Sequence, residues 1–234
     1  FSVMYVGAYP AFEEMLGQFS EMPLEFIRGF ESIVTFTGFL NVELYQIFWI
    51  LILPTLIAYI AGSLVAEEIE AKTIDTLLAN PISRGRIVIE KFLGLVPMIL
   101  IIDFATMGTV YGMASVIGEE IVFNHLFLTH IWSIPYFLAI AAIGLLVSTI
   151  VNKKMKASII GMAIVVGMYI FESISNLVPE YESMGAVSLV HYFDPSELLI
   201  EGNTNIVGPF AVLSIVALSL VLISIFRFQR RDIP

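Results

Sequence analysis

From Tyr45 to Val65 the chain reads YQIFWILILPTLIAYIAGSLV, a run of 21 residues with no charge. A helix rises 1.5 Å per residue, so about 20 such residues cross a hydrocarbon core roughly 30 Å thick. Backbone placed in hydrocarbon must satisfy its own polar groups, so a single run of this kind can only be a helix. Four further blocks follow: Phe92–Ile117, whose one charge is Asp103, then Leu126–Val151, Ala157–Ile174 and Ile206–Phe226. With 58% hydrophobic residues and a mean hydropathy of +0.92, the composition lies above the roughly half-apolar content of soluble domains. The fold class expected is an all-α polytopic membrane protein, residues 1–234 forming one transmembrane domain.

Basic residues set the orientation. Lys72, Arg84, Arg86 and Lys91, then Lys153, Lys154 and Lys156, then Arg227, Arg230 and Arg231 fall on alternate connections, leaving Arg28 as the one basic residue on the other face. The basic face is cytoplasmic by the positive-inside rule, which places the carboxyl end inside and the chain in the cell membrane. Thirteen carboxylates against Arg28 leave about −12 outside, while ten basic residues against six carboxylates leave about +4 inside. So weak an inner charge gives nucleic acid no footing. Five spans put the amino end outside. A truncated first span ending in Phe1–Tyr9 accounts for that, and six spans in all are expected. Residues 10–41 are expected to lie at the outer interface, or as a packed hairpin there. They carry an amphipathic stripe of Phe12, Met15, Leu16 and Phe19 and a second helix from Pro23 bearing Leu24, Ile27 and Phe30. Residues 175–205 form the other outer loop, partly helical, with Asp194-Pro195-Ser196-Glu197 as a helix start and Gly202 as a stop.

Catalytic patterns are absent. There is no phosphate-binding G-x-x-x-x-G-K-[ST] loop, no G-x-S-x-G elbow and no H-E-x-x-H pair. There is no cysteine to hold a metal, and His125, His130 and His191 all read as outer-side residues. Asp103 is the sharper candidate. It lies eleven residues past Phe92, about 16 Å along a helix and close to mid-membrane. An ionisable group there marks a translocation path, or else joins helices through Ser, Thr or Tyr partners. No lysine or arginine lies within a span to pair with it. Glu172 reads as an interfacial residue. Small residues four apart, at Ala58/Gly62, Ala157/Gly161 and Ala163/Gly167, permit close helix approach within one chain or between two.

The charged stretch Glu67–Lys91 sits between two spans on the cytoplasmic face. Glu67–Leu78 is expected to be a helix with Ile69, Ile74, Leu77 and Leu78 on its apolar side, ended by Asn80-Pro81. Ser83 then caps a second helix running into the next span. Twenty-five residues exceed what a re-entry turn needs, and an apolar face outside the bilayer needs a partner.

This stretch resembles the first cytoplasmic loop of ABC-2 type permeases, the membrane subunits of ABC exporters. The matching residues are Glu68, Glu70, Thr73, Ile74, Leu77, Leu78, Ala79, Pro81, Ile82, Ser83, Arg84, Ile87, Val88 and Lys91, preceded by Gly38-Phe39-Leu40, Leu53-Pro54 and Ile57-Ala58-Tyr59. The similarity is detailed over Gly38–Gly94 and topological beyond. Lys72 departs from it, standing where the family usually has glycine before the threonine. The resemblance implies six spans per subunit, a second permease copy, and an ABC ATPase on separate chains that holds ATP and Mg. It also implies that residues 67–91 contain the coupling helix, with Glu68, Glu70, Thr73, Ile74, Leu77, Leu78, Pro81, Ser83 and Arg84 at the ATPase contact. The function expected is therefore the permease subunit of an ATP-driven exporter. A regulatory or sensory subunit, or an envelope-assembly subunit driven by an ABC ATPase, is the alternative.

Overall fold

Every regular element is helical in the computed structural model, which describes residues 1–19, 35–73, 83–177 and 179–231. The long helices are α1 (Ser2–Phe19), α2 (Phe36–Glu70), α3 (Arg84–Ile117), α4 (Phe123–Ile150) and α5 (Lys154–Leu177). A short α6 (Pro195–Leu199) and the long α7 (Val207–Gln229) complete the chain. Two 3₁₀ segments, Pro179–Val187 and Val190–Tyr192, occupy the loop before α6. Asp194 caps α6 through Ser196 N–H, and Gly202 takes a positive φ of 68° just beyond it. Four helices, α2, α4, α5 and α7, are long and apolar enough to cross a membrane.

The centre of the bundle is α4, against which α2, α3, α5 and α7 all pack. Its most apolar window is 72% buried, whereas that of α7 is 17% buried. The outward side of α7 carries Ile215, Leu218, Leu222 and Phe226, all exposed. The closest helix approach is made by glycine. A Cβ on Gly144 of α4 would lie 2.6 Å from the Ala58 carbonyl oxygen, and one on Gly62 of α2 would lie 2.9 Å from that of Ala157 in α5. The Ala58/Gly62 and Ala157/Gly161 pairs are thus used up inside the chain. Ala163 and Gly167 face outward, and nothing lies within 4 Å of a Cβ on Gly167.

At the amino end α1 runs unbroken from Ser2 to Phe19 with Pro10 inside it, joining the expected end of a span and the start of the 10–41 segment in one helix. Proline there removes one intrahelical bond, and packing outweighs that loss. Val6 and Tyr9 are buried, the Tyr9 ring is 5.1 Å from Phe36, and Phe12 is 4.8 Å from Phe39. Met15 of the expected stripe is exposed. The side chains of Leu16 and Phe19, and the helix expected from Pro23, lie outside the described residues.

Winding within α2 follows from Pro54. Thr35 caps the helix through Gly38 N–H. From Asn41 to Ile52 the helix is π-wound, and it returns to α geometry at Leu53–Ser63. Pro54 has no amide hydrogen, so an α-helix here leaves the Ile50 carbonyl without its partner four residues on. Tyr136 of α4 supplies the missing donor, its hydroxyl lying 2.9 Å from Ile50 O with both residues buried. Removing that hydroxyl by Tyr136→Phe strands a buried carbonyl, at a cost of about 1–3 kcal/mol. Thermal unfolding of the purified chain should show the loss as a lower midpoint.

Candidate functional site

Two polar assemblies stand out against the apolar bundle, one at the rim that carries the carboxyl end and one in its core. At the rim, the end of α2 is bound to three other helices. The hydroxyl of Ser148, near the end of α4, accepts from Val65 N–H at 2.8 Å and Ala66 N–H at 2.9 Å. Glu68 pairs with Lys91 of α3 at 2.6 Å. Glu67 pairs with the Lys154 ammonium at 2.6 Å, and Glu70 accepts from the Lys154 backbone N–H at 2.7 Å. Lys154 is the first residue of α5, so Glu70 places a carboxylate on the positive end of that helix from outside it. The Lys91 and Thr73 hydrogen bonds hold the Glu68 carboxyl below the usual carboxylate range. Glu67 and Lys154 are about half exposed and contribute little energy. The Ser148 bonds are buried and carry more.

The helical end of this assembly is short. Residues Ala66–Glu70 are helical, and the expected continuation to Leu78 is overturned at Lys72, which adopts φ 56°. Thr73 N–H reaches Glu68 O at 3.0 Å and Lys72 N–H reaches Ile69 O at 3.2 Å. This 6→1 and 5→2 pair closes a helix through a left-handed residue, a place that glycine fills without strain. The departure from the family pattern at Lys72 therefore changes the residue and leaves the bend in place.

Beyond the loop, Ser83 has extended backbone and its hydroxyl accepts from Arg86 N–H, so α3 starts where expected. Arg84 donates to the Arg231 carbonyl at 2.5 Å, and Arg231 donates to the Thr149 carbonyl at 2.5 Å. These bonds tie the start of α3 to the ends of α7 and α4. Burial, with the neighbouring Arg227 charge, lowers the Arg231 guanidinium from its ordinary value.

Of the residues expected at the ATPase contact, Glu68, Glu70, Thr73, Ser83 and Arg84 are described, and all five make bonds within the chain. Ile74, Leu77, Leu78 and Pro81 lie outside the described residues. Lys91, Lys154 and Ser148, which complete the assembly, were not singled out as partners from the sequence.

In the core, Asp103 of α3 is fully buried and has partners the sequence reading did not supply. His130 of α4, read as an outer-side residue, is itself fully buried, with Nδ1 3.1 Å from Asp103 Oδ1. Ser133 Oγ lies 2.5 Å from the same oxygen and 2.8 Å from the His130 carbonyl. On the far side of the ring, Nε2 is 3.0 Å from the Tyr45 hydroxyl. Trp49 meets the imidazole edge-on at 5.1 Å. Tyr45 and Trp49, four residues apart, share this face of α2. Asp103 Oδ2 has no hydrogen-bond partner among the described residues. Glu172 is buried and bonds the partly exposed His191 at 3.1 Å. No group of three or more His, Asp or Glu able to hold a metal occurs among the described residues.

Residues 2–233 match the family model described as ABC-2 family transporter protein. No curated protein matches the chain.

Ser148→Ala would leave two buried amides without an acceptor, at a cost of about 1–3 kcal/mol. The expected result is a lower unfolding midpoint together with faster amide exchange over residues 65–70. Lys72→Gly should act oppositely. Relief of a left-handed non-glycine residue is worth about 1 kcal/mol, so exchange at Ala71–Thr73 should slow by about fivefold.

Proposed function

Because this chain belongs to the ABC-2 family of transporter proteins, and so forms the membrane part of an ABC transporter whose ATPase is a separate subunit, we propose that it is the permease subunit of an ATP-driven exporter. In this reading α3 is a fifth span beside α2, α4, α5 and α7, since Asp103 is its one charge between Phe92 and Ile117. The basic connections face the cytoplasm with the carboxyl end, and the transporter carries two copies of the permease in the cell membrane.

The observation that carries the reading is how the Glu67–Lys91 loop is rooted. Its first residues are held to α4 by Ser148, to α3 by Lys91 and to α5 by Lys154. A protein that pushes on this loop therefore pushes on three helices together with α2, which is the mechanical need of a coupling element. Glu68 and Glu70 act here as internal anchors, with Ser83 and Arg84 fixing where α3 begins. The docking surface is assigned to residues 74–82, where Ile74, Leu77, Leu78 and Pro81 supply apolar contact for the ATPase. ATP and Mg belong to that partner.

The experiment is Leu77→Asp combined with Leu78→Asp. Burying a leucine is worth about 1.5–3 kcal/mol, so losing two should weaken ATPase binding by at least a hundredfold, at about 1.4 kcal/mol per tenfold. Expression and the thermal midpoint of the permease should stay near normal while the ATPase no longer co-purifies. Full co-purification with normal ATP-driven flux would overturn the assignment.

A further inference from the structure

Tyr45, His130, Asp103 and Ser133 join α2, α3 and α4 through four hydrogen-bond contacts, and their hydrogens can be counted. The contacts are Tyr45 Oη to His130 Nε2, His130 Nδ1 to Asp103 Oδ1, Asp103 Oδ1 to Ser133 Oγ, and Ser133 Oγ to the His130 carbonyl. Neither the Tyr45 nor the Ser133 hydroxyl has a further partner among the described residues. We infer that the bundle core is a proton-binding site, with one proton held on the Asp103 carboxyl and the chain of bonds running from Tyr45 through His130 and Asp103 to Ser133 and the His130 carbonyl.

In that arrangement each of four hydrogens meets one acceptor. Tyr45 O–H donates to Nε2, Nδ1–H donates to Asp103 Oδ1, the Asp103 O–H donates to Ser133 Oγ, and Ser133 O–H donates to the His130 carbonyl. Oδ2 remains as a neutral carbonyl oxygen, whose missing partner costs little beside that of a bare carboxylate oxygen. Moving the Asp103 proton to His130 makes both ring nitrogens donors. Tyr45 then has to accept, and its own hydrogen has no acceptor. Removing the proton altogether leaves a negative charge at full burial with no cation beside it, which hydrocarbon surroundings penalise heavily.

Among the described residues, Asp103 is bonded to His130 and Ser133, and the helices packed on α3 place no lysine or arginine against it. From Val207 to Phe226 α7 has no ionisable side chain, and Glu13 and Glu14 of α1 are exposed. The charged groups of α3 itself, Arg84, Arg86, Glu90 and Lys91, lie at its inner end. The ligand is thus a single hydron, held while α3 and α4 stay together. Parting them would admit water to the carboxyl, and the burial that favours the neutral acid would be lost.

The test uses the full chain in lipid vesicles and needs no ATPase, so its outcome is separate from that of the exporter reading. Infrared difference spectra between wild type and Asp103→Asn should show a protonated carboxyl carbonyl band at neutral pH that the variant lacks. The His125→Gln, His191→Gln variant leaves His130 as the one histidine. Its nitrogen NMR should report a neutral ring protonated at Nδ1. In Asp103→Asn the amide oxygen can take the Oδ1 place and accept from both His130 and Ser133, so the variant is expected to fold while lacking the acid band. A carboxylate band in place of the acid, or an imidazolium at His130, would overturn the proposal. If the Asp103→Asn variant does not fold, the infrared spectra and histidine NMR of chains retaining Asp103 still decide.

Discussion

One missing amide hydrogen, that of Pro54, organises much of the bundle centre. In water the freed Ile50 carbonyl would take a solvent hydrogen bond. In an apolar interior it has to find a donor within the protein. The donor is Tyr136, which fixes α4 against α2 at that level. Over the two turns before the proline the helix is π-wound, a geometry that recurs at functional places. Tyr45 and Trp49, four residues apart in that segment, both meet the His130 ring. The ring then reaches Asp103, so one carbonyl and one buried acid are served by the same pair of helices.

Polar bonds at the rim that carries the carboxyl end obey a different balance. Half-exposed pairs such as Glu67 with Lys154 contribute at most about 1 kcal/mol each. Their value lies in direction, because each ties the root of the loop to a different helix. Ser148 contributes affinity as well, since Val65 and Ala66 are fully buried and water cannot replace it. The Arg84–Arg231–Thr149 links add carbonyl contacts at the ends of α7 and α4, where a cation also suits the helix dipole.

The helical character of the chain was legible because a single apolar run of about 20 residues can satisfy its own backbone in hydrocarbon only as a helix, and the family was legible in the loop residues around Glu68 and Ser83. The core site was half legible. Asp103 was visible as a lone acid in an apolar run. His130 was passed over because it was read only by side, and hydropathy does not report which residues of two apolar blocks meet. A second titratable residue inside an apolar block, three residues before Ser133, was the available signal. That one helix runs through Pro10 was not legible, because the rings of Phe36 and Phe39 that pack on it lie far along the chain. The helix to Leu78 failed at Lys72, whose left-handed backbone no periodicity reports.

Both assemblies meet on α3. Lys91, near its inner end, holds the loop through Glu68, and Asp103 follows twelve residues later, about 18 Å along the axis. A helix transmits a push along that distance as a rigid rod unless something bends it, and Pro97 stands between the two. Proline there removes one backbone bond and is the usual cause of a kink. On the exporter reading, motion of the loop would therefore reach Asp103 as a change of angle at Pro97 more than as a translation. The bond most sensitive to angle is the one between α3 and α4, Asp103 to His130. A buried chain of directional hydrogen bonds tolerates little reorientation before one of them opens, whereas the apolar contacts around it can slide. This makes the proton site the stiffest joint between the moving helix and the central one.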